Sequence, residues 1–319
     1  MSKKPKVGMW SGLTAVTAVL TAGAIVGTTV AFHYTTTVNN YLDADTYKII
    51  RGDSDEDTEY FKSDFTSDEE RESYEAELCA QVEAEGAALL KNDNNALPLA
   101  SGAKVSLFGH GSVDLMYGGT GSGSVDTSKA PNFKQALEDQ GIQVNSTLWD
   151  LYSSDDMMKN YSRITPAAIS DTLEANTQYA VNEAPWSKLS SAESSFADYG
   201  DAAIVVFSRS GGEGADLPSG ENGTNDSWIK GQEGDGNYLA LSTEEKELLQ
   251  NLKTLKDNGT FKKIIVLINS SNAIEMDFLN PEICGEDYGI DSAMWIGDVG
   301  QTGINGVAPV SYTHLRAHE

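Results

Sequence analysis

Two uninterrupted apolar runs constrain the fold of this chain more than any other feature. Residues 202–207 have the sequence Ala-Ala-Ile-Val-Val-Phe, and residues 264–268 have the sequence Ile-Ile-Val-Leu-Ile. A strand that is apolar on both faces has to be covered on both faces, which is typical of the parallel sheets of α/β proteins. Shorter runs at 105–108 and 293–296 predict two more strands.

Helical patterns accompany these strands. The spacing of apolar residues predicts helices over 72–90, 132–140 and 242–255, the last beginning with the capping-box sequence Ser242-Thr243-Glu244-Glu245. Alternation of strands and helices predicts an α/β fold, with a mostly parallel sheet flanked by helices in an α/β sandwich.

The loops after the predicted strands are expected to share one rim of the sheet. These loops are residues 109–126, 208–235 and 270–273. In an open parallel sheet the carboxyl ends of the strands face the same side, and ligands bind there. Any site in this chain is therefore predicted at this rim.

The first residues have the pattern of an export segment. Lys3, Lys4 and Lys6 precede an uncharged run, 7–32, of about 26 residues. Such a run can cross a hydrocarbon core of about 30 Å, and the lysines favour a cytoplasmic N-terminus. We interpret 1–6 as a cytoplasmic basic segment and 7–32 as a transmembrane signal-anchor, with a cleaved signal peptide as the alternative. Either way, the rest of the chain is expected to be exported.

The remaining sequence divides into three parts. Residues 33–75 are polar and acidic and are interpreted as a stalk or lead-in. Residues 76–308 carry the strand and helix patterns. Residues 309–319 change abruptly in character and resemble a translated sequencing adapter, so we interpret them as an artefact rather than as part of the fold. His314 and His318 in that segment are not interpreted as metal ligands.

Composition excludes some classes of function. The formal net charge of −26 argues against nucleic acid as a partner, because phosphates require basic side chains. It suits solubility and neutral ligands such as sugars. The two cysteines, Cys79 and Cys284, cannot build a disulfide framework or a cysteine metal site. They are interpreted as small buried thiols, with a single bridge as the alternative.

Two glycine-rich loops contain the candidate chemistry. Glu213 lies between glycines in Ser210-Gly211-Gly212-Glu213-Gly214, where a burial-raised pKa would suit a general acid; the alternative is a solvated glutamate. The second loop, 117–126, lacks the dinucleotide fingerprint because Ser124 stands where glycine is required. Neither a P-loop nor a Gly-x-Ser-x-Gly elbow occurs. A loop that packs against a ligand or a neighbouring domain is the remaining interpretation.

Several blocks of sequence together resemble one known family. The blocks are Glu85–Asn92 with Leu97-Pro98-Leu99, Phe108-Gly109, the 118–125 loop, Ser210–Asp216 and Trp295–Gly303. In this order they resemble the α/β sandwich domain of glycoside hydrolase family 3. The resemblance covers residues 76–308.

The resemblance implies a retaining hydrolase of β-linked glucosides, xylosides or related sugars. A barrel domain would supply an aspartate nucleophile, and the sandwich domain a glutamate acid/base. Glu213 matches that glutamate best, and Glu233 is its rival. Asp216, Gly121 and Ser122 are expected to contact substrate, although a structural salt bridge is an equal alternative for Asp216. No cofactor and no metal are implied.

The resemblance also implies a particular organisation. Only a membrane segment and a stalk precede the sandwich, so the domain order is expected to be reversed, with the barrel downstream and missing from this fragment. The product would be a single-pass protein of the cell membrane with an extracellular catalytic part, inactive without the barrel.

Two other functions remain open from the sequence. The same sandwich can serve as a non-catalytic carbohydrate-binding or scaffold domain, and the strand pattern also fits a flavodoxin-like cofactor binder. Tyr117, Trp228 and Tyr238 are candidates for stacking on a sugar, with core or exposed loop positions as the alternative.

Overall fold

The computed structural model describes residues 7–42, 63–164, 179–213 and 237–312. The chain forms two compact units, Met1–Ser63 and Asp64–Glu319. In the first unit, helix α1 (Val7–His33) is followed by the short helix α2 (Thr35–Tyr41). Within α1, Trp10–His33 has a mean hydropathy of 1.8 and no buried residues. By length and composition, this helix is able to cross a membrane.

The second unit is built on a six-stranded sheet within the described residues. The strands are β1 (Ala88–Asn92), β2 (Lys104–Phe108), β3 (Gln143–Val144), β4 (Ala202–Ser208), β5 (Ile264–Asn269) and β6 (Ser292–Trp295), in the order β1-β6-β5-β4-β2-β3. Only the edge strand β1 is antiparallel to its neighbour. The mostly parallel sheet predicted from the apolar runs is confirmed.

Helices cover both faces of this sheet. They are α3 (Asp68–Gly86), α4 (Phe133–Asp139), α5 (Ser146–Tyr152), α6 (Asp155–Asn160), α7 (Thr243–Asp257), α8 (Pro281–Cys284) and α9 (Ile304–Tyr312). Alternate side chains of β4 enter two separate cores: Val205 packs in a cluster with Leu248 and Leu249 of α7, and Val206 packs with Leu137 of α4 and Val307 of α9. This two-sided burial explains why β4 contains no charged residue.

Local sequence signals set the ends of the helices. Ser242 caps α7, where its hydroxyl accepts from the Glu245 N–H while the Glu245 carboxylate accepts from the Ser242 N–H. This reciprocal capping box is the one predicted from the sequence. Asn132 caps α4 without a reciprocal partner, since its side-chain oxygen accepts from the Gln135 N–H.

The predicted helix over 72–90 is wrong at its C-terminal end. Helix α3 ends at Gly86, and Ala88–Asn92 form β1, which pairs with β6. Ala, Leu and Lys are good helix formers, but pairing with the sheet edge overrides that weak preference. At its other end α3 begins at Asp68, so the boundary predicted at residue 76 falls inside this helix.

The C-terminal helix packs against α3 and extends past the predicted end of the domain. Thr302 Oγ1, just before α9, donates to the Ala76 carbonyl of α3 at 3.2 Å. The backbone of α9 remains helical to Tyr312, and residues 313–319 lie outside the described part of the chain. Cys79 and Cys284 are partly buried free thiols, so no bridge joins them.

The strand order changes direction at one point of the rim. Along the chain, β3 is added on one side of β2, whereas β4, β5 and β6 are added on the other side. The connections that follow β2 and β4 therefore cross opposite faces of the sheet. In doubly wound sheets this topological switch point is where ligands bind.

Candidate functional site

Two loops meet at the switch point between β2 and β4. Thr120, from the loop after β2, forms a parallel bridge with Gly212, from the loop after β4. The Thr120 N–H donates to the Gly211 carbonyl at 3.3 Å. The Thr120 hydroxyl donates to the Glu213 carbonyl at 2.9 Å. These contacts set the position of Glu213 relative to the 118–125 loop.

The Glu213 carboxylate is held by Ser122. Its Oε2 atom accepts from the Ser122 N–H at 2.8 Å and from the Ser122 hydroxyl at 2.6 Å. These hydrogen bonds favour the charged form and lower the pKa of Glu213. The sequence suggested a carboxyl with a raised pKa, but the side chain is exposed at the rim and burial contributes little.

Two glycines are required by this close contact. Gly212 has φ +147°, and a Cβ there would lie 2.4 Å from the Thr120 nitrogen. Gly121 has φ +66°, and a Cβ there would lie 2.6 Å from Glu213 Oε2. Any larger residue at either position would strain the backbone and separate the two loops.

A buried ion pair fixes the base of the Glu213 loop. Arg209 is fully buried and forms two parallel hydrogen bonds with Glu245, Nη1 to Oε1 at 2.7 Å and Nη2 to Oε2 at 2.8 Å. Its remaining N–H groups reach the carbonyls of Ser208, Tyr238 and Ala240. The guanidinium is thereby satisfied, and the end of β4 is joined to the start of α7.

Tyr238 clamps the next residue of the loop. Its hydroxyl accepts from the Ser210 N–H at 3.0 Å and donates to the Ser210 carbonyl at 3.1 Å. The ring is fully buried beside Tyr179, with ring centroids 6.1 Å apart. Tyr238 is therefore a core residue rather than a sugar-stacking one. Tyr117 is partly buried and donates to the Pro131 carbonyl at 2.9 Å.

A second polar network lies where the loop after β2 begins. His110 Nε2 lies 2.8 Å from Asp114 Oδ2, and Arg163 pairs with Asp114 Oδ1 at 3.0 Å. Arg163 also donates to Ser208 Oγ at 2.9 Å and to the Asp114 carbonyl. Burial opposes ionisation of Asp114, but the contacts with His110 and Arg163 outweigh it and lower its pKa. The network ties this loop to the end of β4.

Glu183 is a buried carboxyl behind this network. It is 5% exposed, and its oxygens accept from the His110 N–H at 2.8 Å and the Ala184 N–H at 2.9 Å. Burial raises the pKa of Glu183 to about 8 against the effect of these two donors, and the charges of Glu245 and Glu244 act with burial. A neutral carboxyl at pH 7 is therefore expected beneath the rim.

The loop after β6 closes the far side of the rim. Asn269, at the end of β5, accepts from the Met116 N–H at 2.6 Å and donates to the Met116 and Gly297 carbonyls at 3.0 and 2.6 Å. Asp298 accepts from the Ser271 N–H and hydroxyl at 3.1 and 2.9 Å.

Burial and the nearby Asp298 raise the pKa of Glu83, on α3, to about 7.

The predicted site residues fall into two groups. Gly121, Ser122 and Glu213 are brought together at the switch point. Asp216 and Glu233 lie outside the described residues, as does Trp228. Within the described ranges, no group of three or more His, Cys, Asp and Glu side chains has the arrangement of a metal site.

Sequence reasoning missed the residues that support the site. Arg209 and Glu183 were not singled out, and Glu245 was recognised only as a helix cap. The one available signal for Arg209 is its charge two positions after a wholly apolar run, since buried arginine requires a partner. Glu183 lies in a segment without periodicity, so no pattern identifies it.

Comparison with known proteins identifies similar sequences. Residues 87–314 match the family model of the glycosyl hydrolase family 3 C-terminal domain. The chain is 30% identical over 237 residues to a β-glucosidase of Ruminococcus albus, covering 73% of this chain and 21% of that protein. It is 31% identical over 212 residues to β-glucosidase A of Butyrivibrio fibrisolvens, covering 62% of this chain and 23% of that protein.

Solved structures show the same fold. A β-glucosidase from Paenibacillus barengoltzii superimposes with a TM-score of 0.53 at 26% sequence identity, covering 74% of this chain and 22% of that chain. The present chain thus spans about a fifth of the length of the curated relatives it matches.

Proposed function

Because the chain belongs to glycosyl hydrolase family 3 through the C-terminal domain of that family, we propose that it supplies the acid/base carboxyl of a retaining β-glycosidase. The substrate class is β-linked glucosides or xylosides, in keeping with the β-glucosidases that it resembles. The aspartate nucleophile comes from a barrel domain that lies outside the α/β unit.

In the proposed reaction Glu213 acts twice. It first donates its proton to the glycosidic oxygen as the bond to the anomeric carbon breaks and the aspartate of the barrel bonds to that carbon. It then takes a proton from water as the water oxygen attacks the anomeric carbon and releases the aspartate. The proton lost in the first step is regained in the second, so the carboxyl returns to its starting state.

One observation carries the proposal: Glu213 lies at the switch point and is held there by the neighbouring loop. The Ser122 contacts at 2.8 and 2.6 Å fix the carboxylate, and the Thr120–Gly212 bridge fixes the backbone beneath it. A carboxyl that transfers protons has to be positioned within hydrogen-bond reach of the reacting oxygen.

The location of the protein is part of the proposal. Helix α1 has the length and composition of a membrane span, and the lysines before it favour a cytoplasmic N-terminus. We propose a single-pass protein of the cell membrane whose α/β unit and catalytic part are extracellular, joined to the helix by the acidic lead-in over 33–75. A cleaved signal peptide gives the same export and is distinguished by N-terminal sequencing of the mature protein.

Dependence on the leaving group tests the role of Glu213. In the product of the complete reading frame, Glu213→Gln should lower kcat/KM for phenyl β-glucoside by about 10²- to 10⁴-fold. The same variant should retain much more activity on 2,4-dinitrophenyl β-glucoside, because dinitrophenolate departs without protonation. Glu233→Gln is the matched variant and should show no such difference between the two substrates.

Other outcomes would change the assignment. A leaving-group difference in Glu233→Gln but not in Glu213→Gln would transfer the role to Glu233. Saturable hydrolysis by the present 319-residue chain alone, lost in Glu213→Gln, would remove the need for a barrel. A complete reading frame without any barrel would instead favour a non-catalytic carbohydrate-binding domain.

A further inference from the structure

Ser122 was expected to contact substrate, but its two donors are already used. Its N–H and its hydroxyl both donate to Glu213 Oε2, at 2.8 and 2.6 Å. Within the described residues, every hydrogen bond to this carboxylate goes to that one oxygen. A serine in this state has no donor left and can meet a sugar hydroxyl only as an acceptor. Among the described residues, the other carboxylate oxygen, Oε1, is left for a different partner.

The contact is built by the backbone of both loops. Thr120 bonds to Gly211 and to Glu213 through main-chain atoms of the latter loop. Two residues later, Ser122 reaches the side chain of Glu213 from the same loop segment. Gly121, between them, approaches Glu213 so closely that a Cβ would collide with the carboxylate. Thr120, Gly121 and Ser122, three successive residues of one loop, therefore fix the position of Glu213.

We infer that Ser122 is a positioning residue for the acid/base carboxyl rather than a ligand of the sugar: it holds Oε2 so that Oε1 is the oxygen that gives and takes the proton. This inference rests on the proposed function. It assigns Ser122 to the positioning of the acid/base carboxyl, and it makes this serine the residue that sets the charge and orientation of Glu213 before substrate arrives.

The chemical consequence is an unequal effect on the two steps. Two donors to the carboxylate stabilise its charged form. They therefore make the protonated Glu213 a stronger acid in the first step, in which it gives up its proton, and make the carboxylate a weaker base in the second step, in which it accepts one from water. Loss of the Ser122 hydroxyl leaves the N–H contact in place, so the effect should be partial rather than complete.

Titration of Glu213 in the full chain tests this role without any substrate. Glutamate labelled with ¹³C at the carboxyl carbon is followed by NMR against pH in detergent micelles, and Glu213→Gln identifies the signal. In Ser122→Ala the titration midpoint of Glu213 should rise towards that of an ordinary glutamate. Ser122→Thr keeps a hydroxyl and should restore the wild-type midpoint.

Ser124→Ala is the matched control, since Ser124 lies on the same exposed loop and contributes its N–H to Gly121. Its midpoint should equal that of the wild type. An unchanged midpoint in Ser122→Ala would overturn the inference, and so would an equal rise in Ser124→Ala.

Kinetics of the complete enzyme separate this inference from the proposed function. If Ser122 positions Glu213, Ser122→Ala should shift the pH profile of kcat/KM upwards. If Ser122 instead binds the sugar, KM should rise with an unchanged pH profile, which would contradict the inference. Failure of the proposed function would appear differently, as activity of Glu213→Gln equal to wild type on both phenyl and dinitrophenyl substrates.

Discussion

Replacing Glu183 by glutamine should flatten the pH dependence of the stability of the α/β unit. The side chain is 5% exposed, and its two oxygens accept from the backbone N–H groups of His110 and Ala184 at 2.8 and 2.9 Å. Burial raises the pKa of this carboxyl from 4.5 to about 8 in the folded protein. The ionised form is therefore disfavoured by folding.

The sign and size of the effect follow from the two pKa values. Below pH 4.5 Glu183 is protonated in both the folded and the unfolded chain, so the carboxyl causes no loss of stability. Between pH 4.5 and about 8 the unfolded chain releases the proton while the folded chain keeps it, and the free energy of unfolding falls as pH rises. At about 1.36 kcal/mol for each pKa unit, the loss reaches about 4 to 5 kcal/mol above pH 8.

Glutamine has the shape of glutamic acid but cannot ionise. Its NH₂ group would face one of the two backbone donors, so at pH 5 Glu183→Gln should be less stable than wild type by about 1 to 3 kcal/mol. As the pH rises to 8 the wild type loses stability and the variant does not. The difference between them should therefore shrink and then reverse in sign.

Urea unfolding followed by tryptophan fluorescence, at pH values from 5 to 8.5 in the same detergent, measures this difference. Glu193→Gln changes an exposed glutamate of a neighbouring turn and serves as the matched control. Its stability should run parallel to that of the wild type. Parallel curves for Glu183→Gln and wild type over the whole range would refute the assignment of a neutral buried carboxyl.

Three further predictions concern the supports of the site. In wild type, Glu83 should cause a loss of stability that develops between pH 4.5 and about 7, and Glu83→Gln should remove this loss. The loss should be about 1 to 2 kcal/mol, because solvent screens this partly exposed group. Urea unfolding at pH 5 and 8 measures the difference between variant and wild type, and an equal difference at both pH values would contradict the prediction. Glu245→Ala should lower the free energy of unfolding by about 3 to 5 kcal/mol, because the buried charge of Arg209 loses its carboxylate partner. A loss below about 1 kcal/mol in the same urea assay would contradict this prediction. Gly212→Ala should break the bridge to Thr120, because a Cβ at position 212 would lie 2.4 Å from the Thr120 nitrogen. Deuterium exchange of the Thr120 amide should then accelerate. Unchanged protection of this amide would contradict the bridge between Thr120 and Gly212.

The sheet was predictable because its central strands are apolar on both faces. Residues 202–207 and 264–268 favour strands covered on both faces, and β4 and β5 are buried between two layers of helices. The edge of the sheet was not predictable in the same way. In β1, Leu89 and Leu90 remain 40% and 42% exposed, so their periodicity is compatible with helix or strand, and only pairing with β6 decides.

The site was predictable in part for a topological reason. Loops that follow neighbouring parallel strands begin at the same rim, so the sequence predicts that the loop with Glu213 and the loop with Ser122 lie on one side of the sheet. The partner of Arg209 was not predictable, because Glu245 lies 36 residues away and already had a sufficient explanation as a helix cap. Long-range pairs between buried charges leave no periodic trace in the sequence.

The exposed position of Glu213 determines its protonation state in this chain. An exposed carboxylate with a lowered pKa is mostly ionised at neutral pH and is a poor proton donor. Its carbonyl, however, accepts from the Thr120 hydroxyl, and the start of its loop is held by the buried Tyr238, which bonds to Ser210 and accepts from Arg209. Since the loop is already ordered at its base, a covering surface needs only to exclude water from the carboxyl to raise its pKa. A domain that packs over this rim would therefore convert Glu213 from a solvated base into an acid without moving the scaffold that carries it.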